Sequence, residues 1–287
     1  MTNLEEVYRM HLFYFSMRKS YLTLLILIFG FSISYSIENY PAGARSRALS
    51  TAFVSISDIW STFHNQAGIA GMDNISAGFY YESRFMVDEL SFAAGTIILP
   101  TKSGNFGFAF FQFGKDSFKE NKFGLSYALA LSKKISAGIQ LDYLSHRFPE
   151  NERSKGIATF ETGLIYSPNK KLFLGAHIFN PILSGIETPE GKQKVPAVFR
   201  FGGHYQFDEM VLFIVEFQKD SEHPASVKSG IEFSPVNNLA LRFGVSGKPF
   251  SYTAGIGYKF GKITTDIAFG YHGNLGITPA VSVQFEL

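Results

Sequence analysis

The sequence predicts an all-β transmembrane fold: an antiparallel up-and-down barrel of about 14 strands, holding a short N-terminal helical plug. Three observations carry this expectation. From Asn74 to Leu287 apolar and polar residues alternate in steady segments, each near the 9–11 residues with which a tilted strand crosses a bilayer. The connections alternate between tight and long. The stretch Pro41–Met72, which holds the only Trp, breaks the two-residue period.

Composition agrees. The chain of 287 residues is 46% hydrophobic and 17% charged, with a net charge of +2, which gives no electrostatic footprint for nucleic acid. With 31 Phe, 14 Tyr and 27 Gly, it is rich in strand formers and in residues that allow close backbone approach. It has no Cys, so disulfides, a thiol nucleophile and a lipid-modified N-terminal Cys are excluded.

In chain order, Arg18 and Lys19 precede the apolar run Tyr21–Ile33, and Ser34-Tyr35-Ser36 supplies small residues for cleavage. Residues 1–36 therefore read as a secretory signal peptide, too short to span a bilayer, with residues 1–16 a misplaced start ahead of Met17. The expected mature amino terminus is Ile37, and residues 37–73 form the plug or hatch. Within it Leu49, Ala52, Phe53, Ile56, Trp60 and Phe63 draw one apolar helical stripe, with Ser57 or Asp58 as cap and Gly68 as terminator. A short strand over Ala52–Ile56 is the alternative. Trp60, Phe63, Asn65 and Gly68 are the candidate plug residues.

The barrel occupies residues 74–287 as one domain. Its strands are expected at 74–82, 88–99, 105–114, 121–131, 134–146, 154–167, 171–180, 195–207, 209–218, 225–234, 238–247, 249–260, 262–272 and 277–287. On the last, Ile277, Val281 and Val283 take one face, and Thr278, Ala280 and Ser282 the other. A soluble sandwich would alternate too. Loop parity favours the membrane: connections after even-numbered strands are tight, whereas Arg147–Arg153, Pro181–Lys194 and Lys219–Pro224 follow odd ones. Tyr81, Tyr143, Tyr166, Tyr205, Tyr258 and Tyr271 lie on the apolar face near strand ends, where an aromatic girdle belongs. Both termini are then expected in the periplasm of a bacterial outer membrane, with lipid as the surrounding partner.

Charges fall on the opposite face with alternating sign. Folding adjacent strands together predicts the lumen pairs Arg200–Glu216, Glu232–Arg242 and Lys259–Asp266. They brace the wall and receive the plug, or else form a selectivity ring. Inward Phe111, Phe113, Phe173 and Phe179 pack against Trp60 and Phe63 or line a greasy path. No catalytic, cofactor or metal site is expected. The inward histidines His177 and His204 stand on the order of 20 Å apart. Gly255-Ile256-Gly257 lacks the following helix of a dinucleotide site.

Gly43-Ala44-Arg45, Ala48-Leu49, Phe53-Val54, Asp58 and Asn65-Gln66-Ala67-Gly68-Ile69-Ala70 resemble the amino-terminal signature of PorV/PorQ-like outer-membrane proteins, which belong with FadL-like barrels. Gly270-Tyr271-His272 and Leu275-Gly276-Ile277-Thr278-Pro279 add to the likeness. Ser50 stands where Gly is usual and Gln66 where Pro is usual. The resemblance implies a 14-stranded barrel with a hatch and a non-enzymatic role. The first expectation is an accessory or scaffold of type IX secretion or surface assembly, binding secretion-machinery or exported proteins. The alternative is a passive, FadL-like transporter for small hydrophobic compounds.

Overall fold

The alternating segments close on themselves. The structure, a computed structural model, describes residues 39–115, 118–147, 155–188, 191–248 and 250–287; the expected signal peptide and Ile37 lie outside the described residues. The wall begins with β1 (Ser76–Ser83), β2 (Ser91–Thr101), β3 (Gly104–Phe113), β4 (Lys119–Ser132), β5 (Ile135–Arg147), β6 (Lys155–Tyr166) and β7 (Leu172–Phe179). A two-stranded hairpin, β8 (Gly185–Thr188) and β9 (Gly191–Lys194), forms in the connection expected to be a plain loop. The wall resumes with β10 (Val198–Gln206), β11 (Val211–Asp220), β12 (Ser226–Val236), β13 (Leu239–Ser246), β14 (Ser251–Phe260), β15 (Ile263–His272) and β16 (Gly276–Glu286). Apart from the hairpin, sequence neighbours pair antiparallel, and β1 pairs with β16 from Ser76↔Glu286 to Glu82↔Ala280, which closes the barrel.

Closure removes both sheet edges and satisfies the backbone without water, the condition for strands to cross lipid. Among the described residues no helix is long and apolar enough to cross a membrane, which says nothing against spanning strands. Alternation sets the two faces. Ile267 is 42% exposed while its neighbours Asp266 and Ala268 are 0% exposed. All six girdle tyrosines are exposed. Tight turns such as 102–103, 133–134 and 261–262 gather at one end, and the longer connections at the other. Both ends of the wall, at Ser76 and Glu286, lie at the short-turn end.

The plug corrects the expected helix. Among the described residues only Ala44–Ala48 is α-helical (α1); Ile59–Phe63 and Gln66–Gly71 are 3-10 turns, and the chain between α1 and Asp58 is irregular. An amphipathic helix needs one side in water. Here wall surrounds the segment, and Ala52, Phe53, Val54 and Ile56 are all buried. Wall side chains supply the hydrogen bonds that a helix would have made internally. The Asp58 cap is present: its carboxylate accepts the Trp60 N–H (3.1 Å), and Ser61 completes the capping box.

Candidate functional site

The plug fills the lumen, threading from Tyr40 near the long-loop end to Met72 at the short-turn end. Tyr40 stacks on Phe113 (4.7 Å) and packs by its edge on Phe111 (5.4 Å), beside Phe92 (5.6 Å). Arg84, from the β1–β2 connection, lies over the Tyr40 ring at 4.6 Å. At the other end Asn105 Nδ2 donates to the Ile69 and Met72 carbonyls, each at 2.7 Å, and fixes the exit into β1. The described chain therefore starts inside the lumen far from Leu287, although the wall itself begins and ends on one side.

Small residues let α1 lie against the wall. Ala44 and Ala48 face Ala268, Ala280 and Gly255, and a Cβ on Gly255 would stand 2.5 Å from the Ala48 methyl. Gly43, at φ 99°, also leaves the space taken by the Trp60 ring. Thr253 closes the helix, donating from Oγ1 to Ala48 O (2.8 Å) and accepting from Ser50 N (3.0 Å). Ser50 and Thr51 then turn the chain in the left-handed region, at φ 54° and 60°. The first is where the resembled signature carries Gly.

The four expected plug residues are all buried within the lumen. Trp60 meets Tyr80 edge-on at 5.9 Å and Phe63 at 6.2 Å. Asn65 is the clamp: Nδ2 donates to Val54 O (2.6 Å), Leu164 O (3.1 Å) and Ala176 O (3.3 Å), while Oδ1 caps the turn at Ala67 N (3.1 Å). Gly68 is required because a Cβ would lie 2.5 Å from Ile56 O.

The lumen charges form two groups. Glu232 and Arg242 are direct cross-strand partners and pair, and Arg242 Nη1 continues to Asp266 Oδ1 (2.6 Å). Arg45 from the plug joins them, bonding Glu232 Oε1 (2.8 Å) and Asp58 Oδ2 (2.9 Å). Burial disfavours the Arg45 charge, but those two carboxylates more than offset it and raise its pKa. The expected Lys259–Asp266 pair does not form. Lys259 opposes Thr264 near the short-turn end, where it meets Glu286 at 3.1 Å. Arg200 opposes Gln218 rather than Glu216, and its Nε lies 4.0 Å from Glu216 Oε1. The β10–β11 connection, 207–210, is longer than a turn at Asp208 alone, so the register moves by two residues and keeps its face.

Glu216 instead holds the plug, its Oε2 accepting Phe53 N (2.8 Å) and Val54 N (2.9 Å). A second buried group links Lys122, Asp142, Glu161, His177 and Arg200 across β4 to β10. Here Gln140 Nε2 donates to Glu161 (2.7 Å) and Asp142 (2.9 Å), and His177 Nε2 donates to Glu161 Oε2 (2.9 Å). His177 faces Arg200 and His204 faces Phe173 across the ladder, leaving the two rings about 13 Å apart by strand rise, nearer than expected. Among the described residues no group of three His, Asp or Glu could hold a metal.

The inward aromatics divide differently from expectation. Phe111 and Phe113 surround Tyr40, Phe173 stacks on His204 at 4.5 Å, and Phe179 lies against Lys122. None of the four packs on Trp60 or Phe63 in a ring contact among the described residues. Tyr40, Arg84 and Asn105 escaped sequence reasoning, and Arg45 entered it only through the resemblance; the inward Phe92, Phe111 and Phe113, with Tyr40 the one Tyr of residues 37–73, were the available signal. Above Tyr40 a cavity of about 630 Å³ opens at the long-loop end, bounded by Phe85, Val198, Gln218, Pro224, Ser226 and Leu275 among others. A second, of about 260 Å³, lies on the short-turn side beside Arg45, Asp58 and Arg242.

No protein-family model matches this sequence, and no curated protein matches it in sequence. Solved structures do share the fold. The CymD monoaromatic hydrocarbon channel superposes with a TM-score of 0.66 at 12% identity, over 86% of this chain and 97% of that one. The Ralstonia pickettii toluene transporter TbuX gives 0.66 at 12%, over 85% and 98%. A Pseudomonas aeruginosa FadL homologue gives 0.63 at 11%, over 86% and 99%. The chain thus shares the barrel fold of these solved structures, here a closed barrel of 14 strands, and at these identities the likeness is one of fold.

Proposed function

We propose that this protein is a non-enzymatic barrel of the bacterial outer membrane that passes small hydrophobic compounds, with its short turns in the periplasm. The observation that carries the reading is the aromatic pocket of Phe92, Phe111 and Phe113, filled by the Tyr40 ring of the plug. Its occupant belongs to the plug, and the neighbouring Asn39 and Phe85 line the cavity at the long-loop end. A small aromatic solute satisfies the same ring geometry as Tyr40. The wall pairs continuously around the barrel, so a solute that enters the mouth travels past the plug. The neighbours named for monoaromatic hydrocarbons and toluene support the same substrate class.

The secretion-accessory expectation rests chiefly on residues 43–70. Most of those residues are buried against the lumen wall, Phe53, Val54 and Asn65 among them, which supports a part in the plug over a surface for cargo. The test is uptake of labelled ethylbenzene by intact cells with and without the protein. Faster uptake, slowed by Phe111→Ala, is expected; equal rates with and without the protein count against transport.

A further inference from the structure

Gln218 sits at the wall of the mouth cavity, on the inward face of β11, with Ser226 as its direct cross-strand partner on β12. Its amide has a fixed orientation. Lys228 Nζ donates to Gln218 Oε1 at 2.8 Å and Arg200 Nε donates to the same oxygen at 3.3 Å. Two cationic donors can be met only by the carbonyl end, so the assignment of oxygen and nitrogen is settled by the network. Lys228 is itself anchored on Thr51 Oγ1 (2.8 Å), at the left-handed turn of the plug. The Nε2 end, with two N–H donors, is left as a preoriented hydrogen-bonding group half-buried at the cavity.

Around it most of the exposed cavity wall is apolar, through Phe85, Val198, Pro224 and Leu275, with Asn39, His223, Lys248 and His272 also at its lining. The carboxylate in this lining, Asp220, is already engaged, accepting from the Glu222 and His223 N–H groups and from the His223 ring. Its volume of about 630 Å³ is within the usual range for small-molecule sites. An apolar chamber with a few placed polar groups discriminates by what those groups require. Here the fixed requirement is an acceptor.

We infer that the mouth cavity is a selective binding site for small apolar molecules carrying one oxygen acceptor, such as an aryl ketone, with Gln218 Nε2 as the group that reads it. The inference rests on the transport reading and narrows its substrate class from hydrocarbons to their oxygenated counterparts. Ser226 Oγ is a second group able to donate at the same spot. Release toward the plug then trades this hydrogen bond for the ring contacts below.

The test compares acetophenone with ethylbenzene, nearly the same in shape, binding to the full chain in lipid nanodiscs. One well-placed hydrogen bond gives acetophenone an advantage of about threefold to tenfold. Gln218→Glu keeps an acceptor for Lys228 and Arg200 and removes the donors. It abolishes the advantage, read as the ratio of the acetophenone to the ethylbenzene affinity within the same variant. An unchanged ratio in Gln218→Glu, or no preference in the parent, overturns the inference and leaves hydrocarbon transport standing. Absence of binding by either compound overturns both.

Discussion

At Glu216 one carboxylate oxygen takes two consecutive backbone N–H groups of the plug, those of Phe53 and Val54. Truncating it strands both donors in the lumen, each at a cost of about 1–3 kcal/mol. Glu216→Ala is therefore expected to loosen the plug and raise ion leakage in planar bilayers while the barrel keeps its heat resistance in SDS gels. Tight, unchanged closure would show that packing alone seats the segment. Trp60, fully buried, is a packing anchor, and Trp60→Ala should cost about 3–5 kcal/mol, read as a lower temperature for plug release. His64 gives a pH signature. It lies 4.8 Å from Phe53, and Nε2 donates to Ala42 O (2.9 Å). Burial holds its pKa well below the usual imidazole value, with Arg200, Lys228 and His177 pushing the same way. Above about pH 6.5 the ring is neutral whether the plug is seated or released, so it has no pH effect there. Below that, the released segment takes up a proton that the seated one refuses, and seating weakens as pH falls. Leakage is expected to rise between about pH 6.5 and 5, ahead of the carboxylates, and His64→Gln should flatten that part of the profile.

The strands were legible because each repeats one rule over its whole length, and a lipid-facing Ile267 beside a lumen-facing Ala268 satisfies it from sequence alone. Ile267→Arg should cost about 2–4 kcal/mol near the midplane and lower the yield of folded barrel. Ala268→Ser should do far less damage; equal loss at both positions would argue for a core on both faces. Register was less legible. A two-residue difference in a connection keeps every side chain on its face yet trades Gln218 for Glu216 opposite Arg200. Likewise Lys259 is inward by parity but too near the strand end to reach Asp266, and it bonds Glu286 in the open. The plug was the hardest element to read. Its conformation depends on wall groups hundreds of positions away, Thr253 capping α1 and Glu216 holding the irregular stretch, so local periodicity gave a helix where only five residues form one. Asp58 was readable because a cap acts within its own turn.

At the scale of the whole molecule, the barrel is a rigid wall around a segment it did not need for closure. The wall's own strands complete every pairing, so the plug is held by side chains alone: Arg45 to Glu232, Asn65 to the β6 and β7 carbonyls, and Glu216 to the Phe53 and Val54 amides. The two cavities lie at opposite ends of the plugged lumen, one beside Gln218 and one beside Arg242. The 14-strand barrel expected from the resemblance is present, and the amino-terminal residues that carried the resemblance, Ala44, Leu49, Phe53 and Asn65 among them, lie buried inside it. The most direct measurement is single-channel conductance of the intact chain and of a variant lacking Pro41–Met72. The intact protein is expected to be silent. The deletion is expected to fold and to give steady open steps, through a path lined by Arg200, Glu216, Glu232 and Arg242. A deletion variant that folds, resists heat and conducts no better than the parent would contradict a lumen closed by this segment.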